Sequence, residues 1–195
     1  MHAPAPRAAA EERAGTPTGE LDELTLVVRA QEGDVHAFEV LARRHQEALF
    51  RLALRVMGDR GEAEDALQEA LLDAWRRIGR FRGDSAFSTW MYRVVTNRCL
   101  GMLRRRRPLP VETIETPAPA QDSPERAAER DAGMAALTRA VQGLPDDLRV
   151  CWALREIEGL GYAEISAITG AGEDAVRGRI HRARTRLAEE MRAWR

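Results

Sequence analysis

The chain has 195 residues, enough for one ordinary domain or two small ones, and 44% of them are apolar, which is enough to build a core. Aromatic residues make up only 5%, and the preponderance of alanine and leucine favours helices over sheets. The net charge of −1 conceals strong segregation, because residues 80–107 hold eight arginines against one aspartate and residues 62–73 hold five acids and no base. No apolar run is long enough to cross a membrane and residues 1–20 lack a signal-peptide core, so we expect a cytoplasmic protein without membrane contact.

The first part of the chain predicts a short tail followed by helices. Residues 1–20 are rich in alanine, proline and glutamate, and we expect them to be disordered. A helix is predicted over 22–31, and Gly33-Asp34 then provides a break and a cap. Apolar residues at helical spacing predict a second helix over 35–57 that ends at Gly58.

The segment 60–78 has the clearest amphipathic pattern in the sequence. Most of its apolar residues fall on one face, and between residues 62 and 73 its other face carries acids with no lysine or arginine mixed among them. Such a face can be merely solvated, or it can bind a basic partner. The candidate partner-binding residues are Asp65, Gln68, Glu69 and Asp73.

Residues 81–107 interleave aromatic rings, small polar residues and arginines. Rings can stack on unpaired bases, small polar groups can contact base edges, and arginines can bind phosphates. The alternative is a helical core of rings with solvated arginines around it. A loop at Gly83-Asp84 is followed by a helix from Ser85 or Phe87 that Pro108 stops. The candidate nucleic-acid contacts are Phe81, Arg82, Asp84, Ser85, Phe87, Trp90, Arg93, Asn97, Arg98, Arg104 and Arg105.

The remaining residues predict a linker and a second helical unit. Residues 108–130 are rich in proline and acids and predict a flexible linker. In residues 131–195, Pro145 is suited to the N1 position of a helix. A short helix from Tyr162, the Gly170-Ala171-Gly172 turn and an arginine-rich helix predict a helix-turn-helix. The basic helix would expose Arg177, Arg179, His181, Arg182 and Arg184.

These observations predict an all-α protein with two small helical domains, residues 21–107 and 131–195. Cys99 and Cys151 lack the spacing of a zinc site or a disulfide framework, and we expect both to be small buried apolar residues. The sequence contains no zinc-protease helix, phosphate-binding glycine loop or nucleophile elbow, so we expect no enzyme activity, metal, cofactor or small-molecule substrate.

The order of these motifs resembles a bacterial sigma factor of the extracytoplasmic-function (ECF) group of the sigma-70 family. The resemblance covers about residues 22–107 and 130–192. Asp65 to Ala70 resembles the segment that docks on RNA polymerase, and Phe81 to Tyr92 followed by Asn97 resembles the segment that opens the −10 promoter element. Leu144-Pro145, Gly159, Tyr162 to Ile165 and Arg177 to Arg186 resemble the domain that binds the −35 element.

The resemblance implies a function and partners. It implies that the chain binds the β′ clamp helices and β flap of core RNA polymerase, carries the enzyme to promoter DNA, and holds a flipped −10 base in the loop from Phe81 to Phe87 with Asn97. It also permits an anti-sigma factor as a partner. The alternative is a stand-alone helix-turn-helix regulator, which leaves the acidic face and the Phe81–Phe87 segment without a role.

The chain departs from the family pattern at three places. Arg93 and Val94 stand where housekeeping sigma factors have two tryptophans, which implies weaker intrinsic melting of DNA. Gly101 replaces a polar residue common in relatives. Gly178 replaces a common serine in the basic helix and lowers its helix propensity by up to about 1 kcal/mol relative to alanine.

Overall fold

The computed structural model describes residues 21–106 and 124–194, with side chains placed in 21–106 and 133–192. The predicted tail, residues 1–20, and residues 108–123 of the predicted linker lie outside the described residues. Across the described ranges every regular element is helical, as the sequence predicts. The helices are α1 (Glu23–Gln31), α2 (Val35–Met57), α3 (Arg60–Arg77), α4 (Phe87–Arg106), α5 (Pro124–Gln142), α6 (Asp146–Glu156), α7 (Tyr162–Thr169) and α8 (Glu173–Glu190).

Local capping determines where the first helices begin and end. Asp34 accepts a hydrogen bond from the Ala37 N–H (3.1 Å) at the start of α2, and Asp59 accepts one from the Glu62 N–H (2.9 Å) at the start of α3. Between these helices Gly58 adopts φ +79°, the left-handed conformation that suits glycine at a helix C-terminus. Because these signals are local, the predicted boundaries of α2 and α3 are correct to within one residue.

The N-terminal unit is a four-helix arrangement around α2, which contacts α1, α3 and α4. Alanines line the inner face of α3, and their small side chains let α3 lie close to its neighbours. Cys99 is fully buried in this core, as expected, and burial raises the pKa of its thiol to about 12.

The C-terminal unit packs α6, α7 and α8 together, with α5 lying against α8. Its buried residues on α8 are four apolar positions at helical spacing, namely Val176, Ile180, Ala183 and Leu187. Pro145 occupies the N-cap position and α6 begins at Asp146, one residue later than the predicted N1 placement, because Pro145 has extended rather than helical backbone angles. Helix α5 already begins at Pro124, inside the segment predicted as linker.

Two further features limit the chemistry of the described residues. None of the helices in residues 21–106 and 124–194 is long and apolar enough to span a membrane. Within the same ranges no group of histidine, cysteine, aspartate and glutamate side chains is arranged to hold a metal ion.

Candidate nucleic-acid interface

Three aromatic rings form a cluster at the start of α4. Phe81 lies 5.4 Å from Trp90 and 5.9 Å from Phe87, measured between ring centroids, and Phe87 lies 5.7 Å from Trp90. Phe87 is only 3% exposed, so its ring packs in the core, whereas Phe81 and Trp90 are half-buried. The sequence left two alternatives, rings buried in a helical core and rings available for stacking on bases. The cluster contains both kinds, because one ring lies in the core and two are partly exposed.

The loop between α3 and α4 is anchored at its first residue and exposed beyond it. The Gln31 side-chain amide donates a 2.7 Å hydrogen bond to the Phe81 carbonyl and a 3.2 Å bond to that of Ile78. The predicted contact residues that follow, Arg82, Asp84 and Ser85, are all exposed. The loop is thus anchored at Phe81, and the small polar side chains and the arginine that follow it are exposed to solvent.

A cleft of about 480 Å³ lies between α3 and α4, beside this cluster. A cleft of this size can accommodate one nucleotide base. Four arginines and one aspartate line it, so its electrostatic potential favours an anion. Its lining residues are Asp73, Arg77, Trp90, Arg93, Val94, Asn97, Arg98, Gly101 and Arg105.

Asn97 and Arg93 are exposed on the α4 face that forms this cleft. A carboxamide can both donate to and accept from a base edge, and a guanidinium can bind phosphate in bidentate fashion. Arg104 and Arg105 continue the same basic surface toward the end of α4 and are also exposed. This surface therefore exposes one carboxamide and several guanidinium groups side by side.

Arg98 differs from its basic neighbours because it is already paired. Its guanidinium lies 2.7 Å from a Glu69 carboxylate oxygen and 2.5 Å from one of Asp73. Arg98 and Asp73 are each about one-fifth exposed, so solvent screens this pair less than a surface pair. Two residues that the sequence assigns to separate partners, DNA and polymerase, thus contact each other.

The remaining candidates for polymerase binding lie on the open face of α3. Asp65, Gln68 and Glu69 are exposed, and Leu72 among them is 50% exposed. An apolar side chain surrounded by acids is suited to a partner with a basic rim. Leu72 is a residue that sequence analysis missed, because the predicted apolar face of this helix contains Leu67 and Leu71 and leaves Leu72 without a role.

The helix-turn-helix consists of α7, a turn at Gly170–Gly172 and α8. Arg177 lies near the start of α8, with its guanidinium carbon 5.2 Å from the centre of the Tyr162 ring and its nitrogens near Glu173 (3.4 Å) and Asp174 (3.0 Å). His181 and Arg182 are exposed on the following turn. These three side chains are accessible, and so is Arg184, whose side chain is as exposed as that of Arg177.

Two arginines of α8 pair with acids of α6. Arg179 pairs with Asp147 of α6 at 3.1 Å and is 27% exposed, and Arg184 pairs with Glu156 of α6 at 2.6 Å. Both hold α8 against α6 in this structure, a role that sequence periodicity did not predict. Gly178 lies beside them, and a Cβ there would come within 3.3 Å of an Arg182 nitrogen.

Arg77 is a second candidate that the sequence analysis missed. It is exposed at the end of α3 and lines the cleft with Arg93 and Arg98. The available signal was its position four residues after Asp73, which places both on the same helix face. At Gly101, also in the cleft, a Cβ would meet open space, so the polar residue common in relatives would fit here without strain.

Comparison with known proteins matches both units of the chain. Residues 41–108 match the family described as Sigma-70 region 2, and residues 134–187 match the family described as Sigma-70, region 4. The chain is 38% identical over 177 residues to the RNA polymerase sigma-H factor of Pseudomonas aeruginosa, covering 85% of this chain and 92% of the relative. It is 35% identical over 183 residues to the ECF RNA polymerase sigma-E factor of Escherichia coli K12, covering 88% of this chain and 95% of the relative.

Solved structures give the same result for the fold. The structure of CnrH in complex with the cytosolic domain of CnrY is similar with a TM-score of 0.67 and 27% identity, over 88% of this chain and 97% of that one. The sigma factor RpoE of Bartonella quintana, in complex with the anti-sigma factor NepR, also gives a TM-score of 0.67, over 83% of this chain and 100% of that one. Its 23% identity supports similarity of fold alone.

Proposed function

Because this chain belongs to the ECF sigma factors of the sigma-70 family, we propose that it binds core RNA polymerase, recognises the −35 and −10 elements of its promoters and captures a flipped −10 base. The observation that carries this proposal is the position of the α3–α4 cleft. The cleft is lined by Asn97, four arginines and Trp90 of the aromatic cluster. It lies on the same unit as the acidic face of α3.

The −10 element is held by the N-terminal unit. Phe81 and Trp90 supply ring surface for stacking, Asn97 supplies base-edge hydrogen bonds, and Arg82, Arg93, Arg104 and Arg105 supply phosphate contacts. Flipping a base costs a few kcal/mol, and stacking returns about 1–3 kcal/mol per base. The remaining free energy comes from phosphate contacts and from the polymerase, so melting depends on the assembled enzyme.

The −35 element is held by α8. Its first turns present Arg177, His181 and Arg182 to solvent, which supports base contact by these residues. Arg179 and Arg184, which the sequence also assigns to DNA, are held by acids of α6. They act on DNA only after those pairs break or through their remaining N–H groups.

The polymerase is held by Asp65, Gln68, Glu69 and Leu72, with Asp73 at the edge of this patch. Acids on an exposed helix face favour the basic surface of the clamp helices, and the C-terminal unit meets the β flap. The chain acts by binding, in the cytoplasm, and does not catalyse a reaction itself. Because a sigma factor of similar fold is known in complex with an anti-sigma factor, an anti-sigma factor is a further partner that we propose.

A stand-alone regulator is the second candidate, and one experiment separates the two. Duplex DNA carrying both elements is incubated with the chain alone, with core polymerase alone, and with both, and complexes are resolved by gel shift at fixed salt. A sigma factor gives a specific complex only when both proteins are present. A tight, sequence-specific complex with the chain alone identifies a stand-alone regulator.

A further inference from the structure

Helix α1 contacts the chain at the point where it leaves α3 for the exposed loop. Gln31 is the last residue of α1, and its side-chain Nε2 donates to the Ile78 carbonyl at 3.2 Å and to the Phe81 carbonyl at 2.7 Å. These two residues lie 47 and 50 positions further along the chain. Both N–H groups of one carboxamide are thus used on two carbonyls of a distant segment.

The two carbonyls lie at the ends of a single turn. Residues Ile78–Arg80 form a short 3₁₀ helix, and the Phe81 N–H closes it with a 3.0 Å hydrogen bond to the Ile78 carbonyl. At Phe81 the backbone becomes extended, with φ −71° and ψ 117°. Because Gln31 binds both ends of this turn, it fixes the direction in which the backbone enters the loop.

The ring of Phe81 depends on this placement of its backbone. The ring is half-buried, and its centroid lies 5.4 Å from that of Trp90 and 5.9 Å from that of Phe87. Trp90 in turn lines the α3–α4 cleft together with Asn97. A change in φ or ψ at Phe81 would therefore move its ring relative to the cleft.

A second contact from α1 reaches the other end of the loop through α2. The Glu23 carboxylate, in the first turn of α1, has an oxygen 2.9 Å from His45 Nε2. The His45 ring lies 5.6 Å from the Phe87 ring, measured between centroids, and Phe87 is the first residue of α4. The two ends of α1 therefore contact, directly or through His45, the two aromatic residues that flank the loop.

Between these flanking residues the loop makes local contacts. Residues 82–86 are exposed, and Gly83 adopts φ +76°, in the left-handed region that favours glycine. The Ser85 hydroxyl donates a 3.3 Å hydrogen bond to the Ala86 carbonyl, which also accepts one from the Trp90 N–H at 3.2 Å. Because these contacts are local, the position of the loop relative to the cleft is set at its two ends.

We propose that Gln31 is a positioning residue for base capture, which holds the Phe81 backbone so that the Phe81 ring is in its binding position before DNA is bound. The inference rests on the proposed function, because it takes the flipped −10 base from it. A ring that is already in its binding position loses less conformational entropy when a base stacks on it. Gln31 thereby acts on the base through Phe81 and does not contact DNA itself.

Replacement of Gln31 by methionine tests this role in reconstituted holoenzyme. Q31M keeps the length and helix propensity of the side chain but has no N–H donor, so the turn loses both hydrogen bonds. The fraction of molecules with the ring in its binding position should fall. Fluorescence anisotropy should show about fivefold weaker binding of a non-template −10 oligonucleotide. Affinity for duplex promoter DNA in the closed complex should stay within about twofold, because no base is flipped there.

A double-mutant cycle separates positioning from a general loss of stability. F81A removes the ring but keeps the carbonyl to which Gln31 donates. If Gln31 acts through this ring, Q31M should change oligonucleotide affinity by less than about twofold in the F81A background. A residue with only a structural role would lower the affinity by the same factor in both backgrounds.

Two further variants complete the test. Q46M makes the same substitution at an exposed amide of α2 outside the cleft and should leave both affinities unchanged. Q31A also lacks a donor and should give the same losses as Q31M. Thermal unfolding of each variant confirms that it is folded at the temperature of the binding assay.

Wild-type oligonucleotide affinity in both Q31M and Q31A overturns the positioning role. So does an equal loss of affinity on Q31M substitution in the wild-type and F81A backgrounds. Either result leaves the proposed function standing if wild-type holoenzyme binds the −10 oligonucleotide more tightly than a scrambled one. Holoenzyme that does not distinguish the two is instead a failure of the proposed function, and the inference fails with it.

Discussion

Arg98 of α4 and Asp73 of α3 form a 2.5 Å ion pair between the cleft and the acidic face of α3, and Glu69 binds the second nitrogen of the same guanidinium at 2.7 Å. The pair joins the surface proposed for DNA to the surface proposed for polymerase. While it is intact, Arg98 has little capacity left for a phosphate. A basic polymerase surface that attracts Glu69 and Asp73 would therefore release Arg98 for DNA.

The first prediction concerns this pair. D73N keeps the shape of the side chain but removes its charge, so Arg98 should become available to the −10 strand. In reconstituted holoenzyme, binding of a non-template −10 oligonucleotide should tighten, and the plot of log affinity against log salt should steepen by about 0.7, the value for one added phosphate contact on a single strand.

Fluorescence anisotropy at several salt concentrations makes this measurement. E64Q is the matched control, since it neutralises a carboxylate of the same helix that pairs with Arg60 outside the cleft. An unchanged salt slope in D73N would show that Arg98 does not reach phosphate.

The second prediction concerns base capture by Asn97. N97A should slow open-complex formation about tenfold, whereas closed-complex affinity should change little, because the carboxamide meets a base only after flipping. Permanganate reactivity of −10 thymines reports opening, and a gel shift at low temperature reports the closed complex. Q46A, an exposed amide on α2 outside the cleft, serves as the control. Equal losses in both assays would argue against capture.

The third prediction concerns docking on polymerase. D65R/E69R should weaken binding to core polymerase at least tenfold and reduce its salt dependence, because two acids of the patch become bases. Since Glu69 also holds Arg98, D65R alone isolates the docking contribution. E32R, at an exposed acid directly after α1, is the charge-matched control. Affinities within twofold of wild type would remove these residues from the docking surface.

The fourth prediction concerns α8. R177A should reduce discrimination between a promoter and its −35-mutated form, because Arg177 lies near the start of the recognition helix. R184A should instead lower stability, since Arg184 is held by Glu156. Competition gel shifts and thermal unfolding separate the two effects. An equal loss of affinity for all sequences in R177A would identify a phosphate contact.

The fifth prediction concerns pH. The Ala37 N–H hydrogen bond and the nearby Arg29 hold the pKa of Asp34 below its ordinary value of 3.8. A depressed pKa in the folded state stabilises the chain above the unfolded pKa, and this stabilisation is lost as pH falls from about 4 through the folded value. D34N retains a capping oxygen but has no carboxyl group to titrate. Its urea midpoint should therefore vary less with pH than that of the wild-type chain, over roughly pH 2.5 to 5. Parallel pH profiles would exclude the contribution.

Sequence alone predicts the features of this protein that depend on neighbours within one helical turn. The boundaries at Asp34, Gly58 and Asp59 follow from caps three or four residues away, and the inner face of α8 follows from its period. The pairing of Arg98 with Asp73 depends on residues 25 positions apart, and that of Arg184 with Glu156 on residues 28 apart. Periodicity shows that such an arginine is not core but does not show which partner it meets.

The packing of the two units cannot be predicted from local sequence patterns either. Arg149 contacts the Val56 carbonyl across 93 positions, and helical spacing treats it as a surface residue although it is 7% exposed. Phe87 gives the opposite case. The motif that contains it resembles a DNA-binding segment, but its own ring is buried in the core. Motifs locate a functional segment, and the structure assigns roles within it.

Run-off transcription tests the central claim most directly. Core RNA polymerase is supplied with the purified chain and with the DNA upstream of its own gene and of other genes of the same genome, and start sites are mapped. The account predicts discrete starts downstream of shared −35 and −10 sequences, reduced in N97A and dependent on the added chain. Core enzyme that initiates nowhere above its background, on any of these templates, would contradict it.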